Sequence, residues 1–144
     1  MTISVEIAAS VDDELVEGLN RLLPQLSSSA SPLGAGDLEP LVRSPSMLFI
    51  ARDGDEIVGT LTLVVFSIPT GVRAWIEDVV VDESTRGRGV GEALTMAAID
   101  EATRRGVKSI DLTSRPSRVA ANALYVKLGF ELRETNVYRF SLED

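Results

Sequence analysis

The stretch Ala74–Gly91 reads AWIEDVVVDESTRGRGVG and contains two patterns in succession. Its first half is a run of apolar, mostly β-branched residues, which is typical of a buried strand. Its second half alternates glycine with arginine and leads into Val90–Arg105, where Leu94, Ala98 and Ala102 recur at helical spacing. The stretch therefore predicts a strand, a tight loop and a helix, in that order.

The loop of this stretch has the composition of an anion-binding site. It consists of Arg86, Gly87, Arg88, Gly89, Val90 and Gly91. Glycines let the backbone approach a ligand closely. The free N–H groups at the start of a helix favour a negative charge there, and Arg86 and Arg88 add positive charge. The loop predicts a phosphate or pyrophosphate ligand, although a glycine-rich turn of this kind also fits a purely structural role.

Two familiar phosphate-binding motifs are excluded by the neighbouring residues. A Walker A loop ends in Gly-Lys-Ser/Thr, whereas Gly91 is followed by Glu92 and Ala93. A dinucleotide fingerprint that starts at Gly87 would need a glycine at the position of Glu92. A nucleotide phosphotransferase is therefore the least favoured interpretation of the loop.

The composition limits the chemistry that is available. With 144 residues and 44% hydrophobic side chains, the chain is long and apolar enough for a single domain over residues 1–144. It contains no cysteine and no histidine. This excludes disulfides, thiol nucleophiles and Ser-His-Asp catalysis and argues against a metal site, so Asp, Glu, Tyr, Lys or backbone groups must carry any proton transfer.

The charge distribution is uneven along the chain. The net charge of −8 argues against nucleic acid as a partner. Residues 1–60 hold 10 acidic and 3 basic side chains, while residues 61–144 hold 12 and 11. An acidic first half favours a cationic substrate, but an acidic surface also simply improves solubility.

No segment of the sequence predicts export or a membrane partner. The N-terminus lacks the basic region of a signal peptide. The longest apolar stretch, Leu61–Ile68, is too short to cross a bilayer. We therefore expect a cytoplasmic protein.

Periodicity and turn residues predict alternating strands and helices along the chain. Helices are expected from Asp12 to about Pro24 and at Asp37–Arg43, Val90–Arg105 and Ser117–Leu128. Strands are expected at Thr2–Ala8, Met47–Ala51, Thr60–Ile68, Ala74–Val81, Ser109–Thr113, Phe130–Arg133 and Val137–Leu142. Antiparallel strands come first and two strand–helix units follow, so the order predicts a mixed α/β (α+β) sheet.

Two segments together resemble the signatures of one enzyme family. The run VVVD at 79–82, followed by Arg86–Gly91, is similar to the acetyl-CoA motif Arg/Gln-x-x-Gly-x-Gly/Ala of the GNAT family of N-acetyltransferases. The later run ALYVKLGF at 123–130 resembles the second signature of that family. The resemblance extends from about Ile57 to Leu142. It implies a GNAT-like fold with a central, mostly antiparallel mixed sheet of six or seven strands and about four helices.

The resemblance also implies roles for individual residues. The backbone of Val79, Val80 and Val81 would pair with the pantetheine arm of acetyl-CoA, and one of its N–H groups would stabilise the oxyanion. The amides of Arg86–Gly91 would hold the pyrophosphate. Tyr125 would lie near the CoA sulfur as the proton donor, although its place in an apolar helical stripe also fits a core tyrosine.

The chain departs from the family pattern at two positions. Many relatives have an asparagine that contacts the cofactor seven residues before the tyrosine, where this chain has Arg118. Asn122 lies one turn before Tyr125, so Arg118 and Asn122 are both candidates for that contact. Some relatives have a glutamate on the preceding strand, where this chain has Thr113.

A carboxylate next to the valines is the natural general base. Glu77 has the same strand parity as Val79 and Val81, so in a regular strand it would face their side of the sheet unless a bulge intervenes. Asp78 and Asp111 are the reserve candidates. A structural alternative is that Glu77 forms an ion pair with an arginine such as Arg73.

The function predicted from these features is transfer of the acetyl group of acetyl-CoA to a primary amine, by direct attack in a ternary complex. The acceptor is a small molecule or an amino group of a peptide or protein. The alternative is a non-catalytic CoA-binding regulatory or interaction module. The residues that select the acceptor are expected in Leu15–Arg43 and Ser67–Arg73, and family habit alone suggests a homodimer.

Overall fold

A computed structural model describes residues 2–143 of the chain. These residues fall into two compact units, which divide between Thr113 and Ser114. Among the helices of the described residues, none combines the length and apolar character needed to cross a membrane.

The first unit contains a five-stranded mixed sheet and three α-helices. The strands are β1 (Ile3–Ile7), β2 (Met47–Asp53), β3 (Glu56–Ile68), β4 (Gly71–Val81) and β5 (Ser109–Asp111); the helices are α1 (Asp13–Leu26), α2 (Ala35–Arg43) and α3 (Val90–Arg104). The strands lie in sequence order. The first four are antiparallel, and β5 is parallel to β4. The mixed sheet predicted from the sequence is thereby confirmed.

Helix α1 begins as its sequence predicts but ends later. The Leu15 N–H donates to Asp12 Oδ1 at 2.8 Å, which caps the first turn. The helix then continues through Pro24 to Leu26, so the prediction that it ends near Pro24 is wrong. The φ of proline is compatible with a helix, and Pro24 lies in the last turn, where its missing N–H removes one hydrogen bond without ending the helix.

The two faces of the sheet are covered by different helices. On one, which we call the α1 face, Leu48, Ile50 and Val80 form a core with apolar side chains of α1 and α2. On the other, the α3 face, Gly59 packs against Val90 and Leu94 so closely that an added Cβ would meet both. Each face therefore has its own apolar core, and β3 and β4 contribute to both.

The second unit contains one helix, α4 (Val119–Lys127), followed by Gly129 in the left-handed region at φ 104°. Residues 130–143 form neither helix nor strand. The prediction of strands at Phe130–Arg133 and Val137–Leu142 is therefore wrong, and the described sheet has five strands rather than six or seven. Alternating apolar residues favour a strand, but a strand also needs a backbone partner. The side chains of Leu132, Tyr138, Phe140 and Leu142 are exposed here.

Gly59 provides a test of the packing on the α3 face. In Gly59→Ala, the new Cβ would lie 2.9 Å from Val90 Cγ1 and 3.0 Å from Leu94 Cδ1. We expect the free energy of unfolding in urea to fall by about 1–3 kcal/mol because the core is overpacked. The matched control is Gly36→Ala in α2, where the added Cβ has no neighbour within 4 Å. An equal loss in both variants would contradict the close packing at Gly59.

Candidate functional site

Strand β4 contains a bulge at its centre. Thr60 pairs with Val80 and Thr62 pairs with Glu77, so Asp78 and Val79 together stand opposite one residue of β3. Asp78 has φ 49° and is the one non-glycine residue with positive φ among residues 2–143. A left-handed backbone at such a residue costs about 1–3 kcal/mol, and strain of this kind clusters at functional sites.

The bulge changes the face on which Glu77 lies. Glu77 and Val80 pair with Thr62 and Thr60, and all four belong to the α1 face. Val81 pairs with Gly59 and therefore belongs to the α3 face. The prediction that Glu77 shares a face with Val81 by simple parity is wrong, because two residues of β4 occupy one position of the ladder.

The second half of β4 extends beyond its pairing with β5. The two strands pair only at Arg73–Trp75, whereas β4 continues to Val81. Within the described residues, the β5-side edge of Val79–Val81 has no strand partner. Main-chain groups on such an edge accept an extended ligand as if it were another strand.

The glycine-rich loop follows this open edge directly. Gly87 has φ 81°, and Gly89, the N-cap of α3, has φ 84°. An L-residue rarely adopts this left-handed backbone, which accounts for both glycines. No side chain caps α3 within the described part of the chain. A helix N-terminus without a side-chain cap is a position that favours an anion.

Asp82 anchors the start of the loop. Its Oδ1 accepts from the Ser84 N–H at 3.2 Å, its own N–H donates to Val58 O at 2.8 Å, and its Oδ2 lies 3.4 Å from Arg21 Nε. Burial alone would raise the pKa of Asp82, but the hydrogen bonds from Ser84 and Arg21 outweigh it and hold that pKa below its usual value.

Helix α1 provides the other half of this anchor. Arg21 also donates to Ile57 O, and Gln25 Oε1 accepts from the Glu83 N–H at 2.9 Å. Sequence reasoning did not find Arg21 or Gln25, because they lie far from the loop along the chain and no motif includes them. The only sign of this anchor in the sequence was Asp82, because a short polar residue at the end of a strand often begins a turn.

Glu77 is exposed and takes part in none of the ion pairs formed within residues 2–143. Arg73, its predicted structural partner, instead donates to Thr70 Oγ1 at 3.3 Å. Of the reserve candidates, Asp78 occupies the bulge, and Asp111 pairs with Trp75 across β4 and β5. The Glu77 carboxylate is therefore available to a ligand.

Tyr125 is the buried residue of α4, with 7% of its surface exposed. Its ring lies edge-to-face against Phe130, with centroids 5.7 Å apart. Burial raises the pKa of the Tyr125 hydroxyl, and the charge of Arg118 opposes that rise only in part. The hydroxyl therefore stays protonated at neutral pH, as a proton donor must.

The other two candidates of the second unit lie at the start of α4. Arg118 occupies the N-cap position. The Asn122 side chain donates to Arg115 O at 3.0 Å and so holds the segment that precedes the helix. The contact that either makes with a cofactor stays a prediction.

A second concave surface lies on the α3 face. It is a groove of about 370 Å³ lined in part by Val5, Ile7 and Glu101. Glu101 is already paired, at 2.7 Å with Arg104 and at 2.9 Å with Arg105. The lining of this groove includes the exposed carboxylate of Asp100 but no glycine.

The sequence profile of the acetyltransferase (GNAT) family matches residues 14–130. This match spans most of the chain and includes both the bulged strand and the loop. The chain belongs to the GNAT family.

Two curated relatives illustrate the range of the family around this chain. N-alpha-acetyltransferase 30 of Schizosaccharomyces pombe is 30% identical over 99 residues, which cover 68% of this chain and 65% of the relative. A mycothiol acetyltransferase of Amycolatopsis mediterranei is 42% identical over 57 residues, which cover 40% of this chain and 19% of the relative. The GNAT chain thus spans between about a fifth and two thirds of these relatives.

Solved structures show the same fold over nearly the whole chain. A putative acetyltransferase from Agrobacterium tumefaciens has a TM-score of 0.82 and 25% identity, and the match covers 96% of this chain and 99% of that one. An aminoglycoside acetyltransferase from a soil metagenomic sample has a TM-score of 0.86 at 22% identity, with 99% and 97% coverage, and shows the fold alone.

The Arg21–Asp82 pair makes the stability of this GNAT chain depend on pH. Because the pKa of Asp82 is lowered on folding, its contribution is complete above the ordinary value of 3.8 and is lost as the pH falls through the folded-state pKa. In Asp82→Asn, which keeps an oxygen for the Ser84 N–H, we expect a loss of about 1 kcal/mol in the free energy of unfolding at neutral pH. The loss is modest because Arg21 is 42% exposed.

The difference between wild type and Asp82→Asn should shrink in acid, as measured by urea unfolding at a series of pH values. Glu39→Gln is the control, because it removes an exposed pair with Arg43 and should cost at most about 0.5 kcal/mol. A difference that stays constant down to pH 2 would contradict a role for the Asp82 charge.

Proposed function

We propose that this protein transfers the acetyl group of acetyl-CoA to a primary amine. The observation that carries the proposal is the open edge of β4 at Val79–Val81, which runs directly into an uncapped helix N-terminus through a loop with two arginines. A ligand that fits both parts has an extended amide-containing arm and a pyrophosphate. CoA has this chemistry.

The backbone of β4 and the loop would divide the binding of acetyl-CoA between them. Main-chain groups of Val79–Val81 pair with the amides of the pantetheine arm, as in strand addition. The amides of Arg86–Gly91 hold the pyrophosphate, supported by the α3 dipole. We also propose Arg118 and Asn122 as further cofactor contacts.

The acetyl transfer requires a neutral amine. An alkyl ammonium with a pKa of about 10.4 is not nucleophilic until it loses a proton, and Glu77 takes that proton directly or through a water molecule. The amine nitrogen then forms a bond to the acetyl carbon, and a backbone N–H of β4 stabilises the oxyanion. The intermediate collapses as the C–S bond breaks and the nitrogen loses a second proton to become an amide. Tyr125 gives its proton to the leaving thiolate and regains one, through water, from that nitrogen.

The attack is direct, in a complex that holds both substrates. The chain has no cysteine to form an acyl-thioester intermediate. A thiol with a pKa of about 8.5 is already a fair leaving group, so the largest share of the rate enhancement comes from positioning the two substrates.

The names of the relatives support an amine acceptor. Besides the N-alpha-acetyltransferase and the mycothiol acetyltransferases, an L-2,4-diaminobutyric acid acetyltransferase of Shouchella clausii is 35% identical over 81 residues. A homodimer and a cytoplasmic location stay predictions from the sequence.

The proposal is tested by incubating the protein with acetyl-CoA and a panel of primary amines, and by following free CoA with a thiol reagent. The absence of cysteine means that the protein gives no background. We expect turnover on at least one amine and a rise in melting temperature with CoA. Stabilisation by CoA without turnover would favour the non-catalytic module, and no effect of CoA would contradict both functions.

Tyr125→Phe serves as the control for enzymatic transfer in this assay. The variant keeps the ring against Phe130 and removes only the hydroxyl. Turnover should fall about 10²-fold while CoA still raises the melting temperature. Unchanged turnover would remove Tyr125 from the mechanism.

Glu77→Gln tests the general base. We expect kcat/KM for the amine to fall at least about 10²-fold at neutral pH, because the carboxylate that accepts the proton is gone. The deficit should narrow as the pH approaches the pKa of the amine, where the substrate loses its proton without help. Glu56→Gln, an exposed carboxylate at the start of β3, should have no effect. An equal deficit at every pH would assign Glu77 a structural role instead.

A further inference from the structure

Resting on the proposed function, we propose that the preferred acceptor carries a second positive charge, and that Trp75 and Asp111 bind it beside the reacting amine. The ligand class is an alkyl amine with an additional ammonium or guanidinium group. Trp75 and Asp111 are thus specificity-determining residues, distinct from the base Glu77.

The register of three strands places these residues together. Val64 of β3 pairs with Trp75 of β4, and Trp75 pairs with Asp111 of β5. Glu77 follows Trp75 by two residues and pairs with Thr62. Residues two apart on a strand lie on the same side, so Trp75, Glu77 and Asp111 all lie on the α1 face.

The spacing of the two carboxylates suits two separate charges. Neighbouring strands are about 4.8 Å apart and residues two apart on a strand about 7 Å apart. Because Asp111 pairs with Trp75 at the end of the ladder, the backbones of Glu77 and Asp111 are about 8 Å apart or more. At that separation the carboxylates do not crowd onto one ammonium. Each is placed to meet one end of a short aliphatic diamine, and Trp75 is a neighbour of both in the sheet.

This part of the α1 face is accessible, in contrast to the opposite side of the same strands. Val64, Trp75 and Asp111 are partly exposed. Leu63, Ala74 and Ile76, which alternate with them toward the α3 face, are at most 3% exposed. A partly exposed indole binds an aliphatic chain by its area and an ammonium by its π face.

The neighbouring cations leave these carboxylates uncompensated. Arg73 donates to Thr70 Oγ1 at 3.3 Å, and Lys108 Nζ donates to Thr70 O at 2.9 Å, so both are held at the turn before β4. Neither Glu77 nor Asp111 is in an ion pair with another residue of the range 2–143. A cationic ligand supplies the missing charge, and the surplus of seven acidic side chains in residues 1–60 adds a long-range attraction.

The experiment compares putrescine with butylamine, which has the same chain length and one charge fewer. Trp75 is the only tryptophan of the chain, so its fluorescence reports ligand binding without any need for turnover. Both amines are titrated, with CoA present, into the wild type, Asp111→Asn and the control Asp55→Asn. Asp55→Asn removes the same charge at the exposed β2–β3 turn. KM and kcat are measured in parallel.

We expect putrescine to bind at least about ten-fold more tightly than butylamine in the wild type, since a charge-assisted contact is lost in the monoamine. Asp111→Asn should remove that preference by raising KM for putrescine, and this rise should exceed any change in kcat. Asp55→Asn should behave as the wild type does.

Failure of this inference can be told apart from failure of the proposed function. The cation site would be contradicted if both amines were acetylated with equal KM, or if Asp111→Asn kept the preference for putrescine. The acetyltransferase activity would still hold in either case. A fluorescence response to putrescine that Asp111→Asn weakens, without turnover of any amine, would support the cation site and overturn the enzymatic activity.

Discussion

The site depends on one backbone constraint, the two-for-one bulge at Asp78 in β4. The bulge places Glu77 on the α1 face with Val80. A bulge also increases the local twist of a strand, here just before the part of β4 that does not pair with β5. The left-handed backbone at Asp78 is strained, and it persists because the ladder between β3 and β4 resumes on both sides of it. The proposed base and the proposed cofactor-binding edge thus adjoin within a few residues of a single strand.

Packing on both faces holds this strand in place. Val80 lies in the core formed with α1 and α2, while Gly59, the ladder partner of Val81, lies against Val90 and Leu94 of α3. Because interiors are close-packed and not fluid, the packing on both faces fixes this part of β4 before any ligand binds. Preorganisation of this kind is what a reaction governed by substrate positioning requires.

The contact between α1 and the loop shows that a segment without any motif contributes to the site. Arg21 and Gln25 of α1 hold Asp82 and Glu83, the residues that lead into the loop. The first half of the chain therefore has a structural part in the site. The same helix packs on the face that carries Glu77, so it links the loop to the side where the acceptor is proposed to bind.

The sequence by itself determined the local features: the order of strands and helices up to α4, the glycine-rich loop, and the family. Each depends on neighbours along the chain, as in the run from Arg86 to Gly91. Only the tertiary structure decided the face of Glu77, the pairing of Asp111 with Trp75 and the Arg21 anchor. Only the structure also showed that residues 130–143 form no strands. The physical reason is that ladder register and long-range ion pairs join groups distant in the chain, and alternation alone specifies neither a bulge nor a partner.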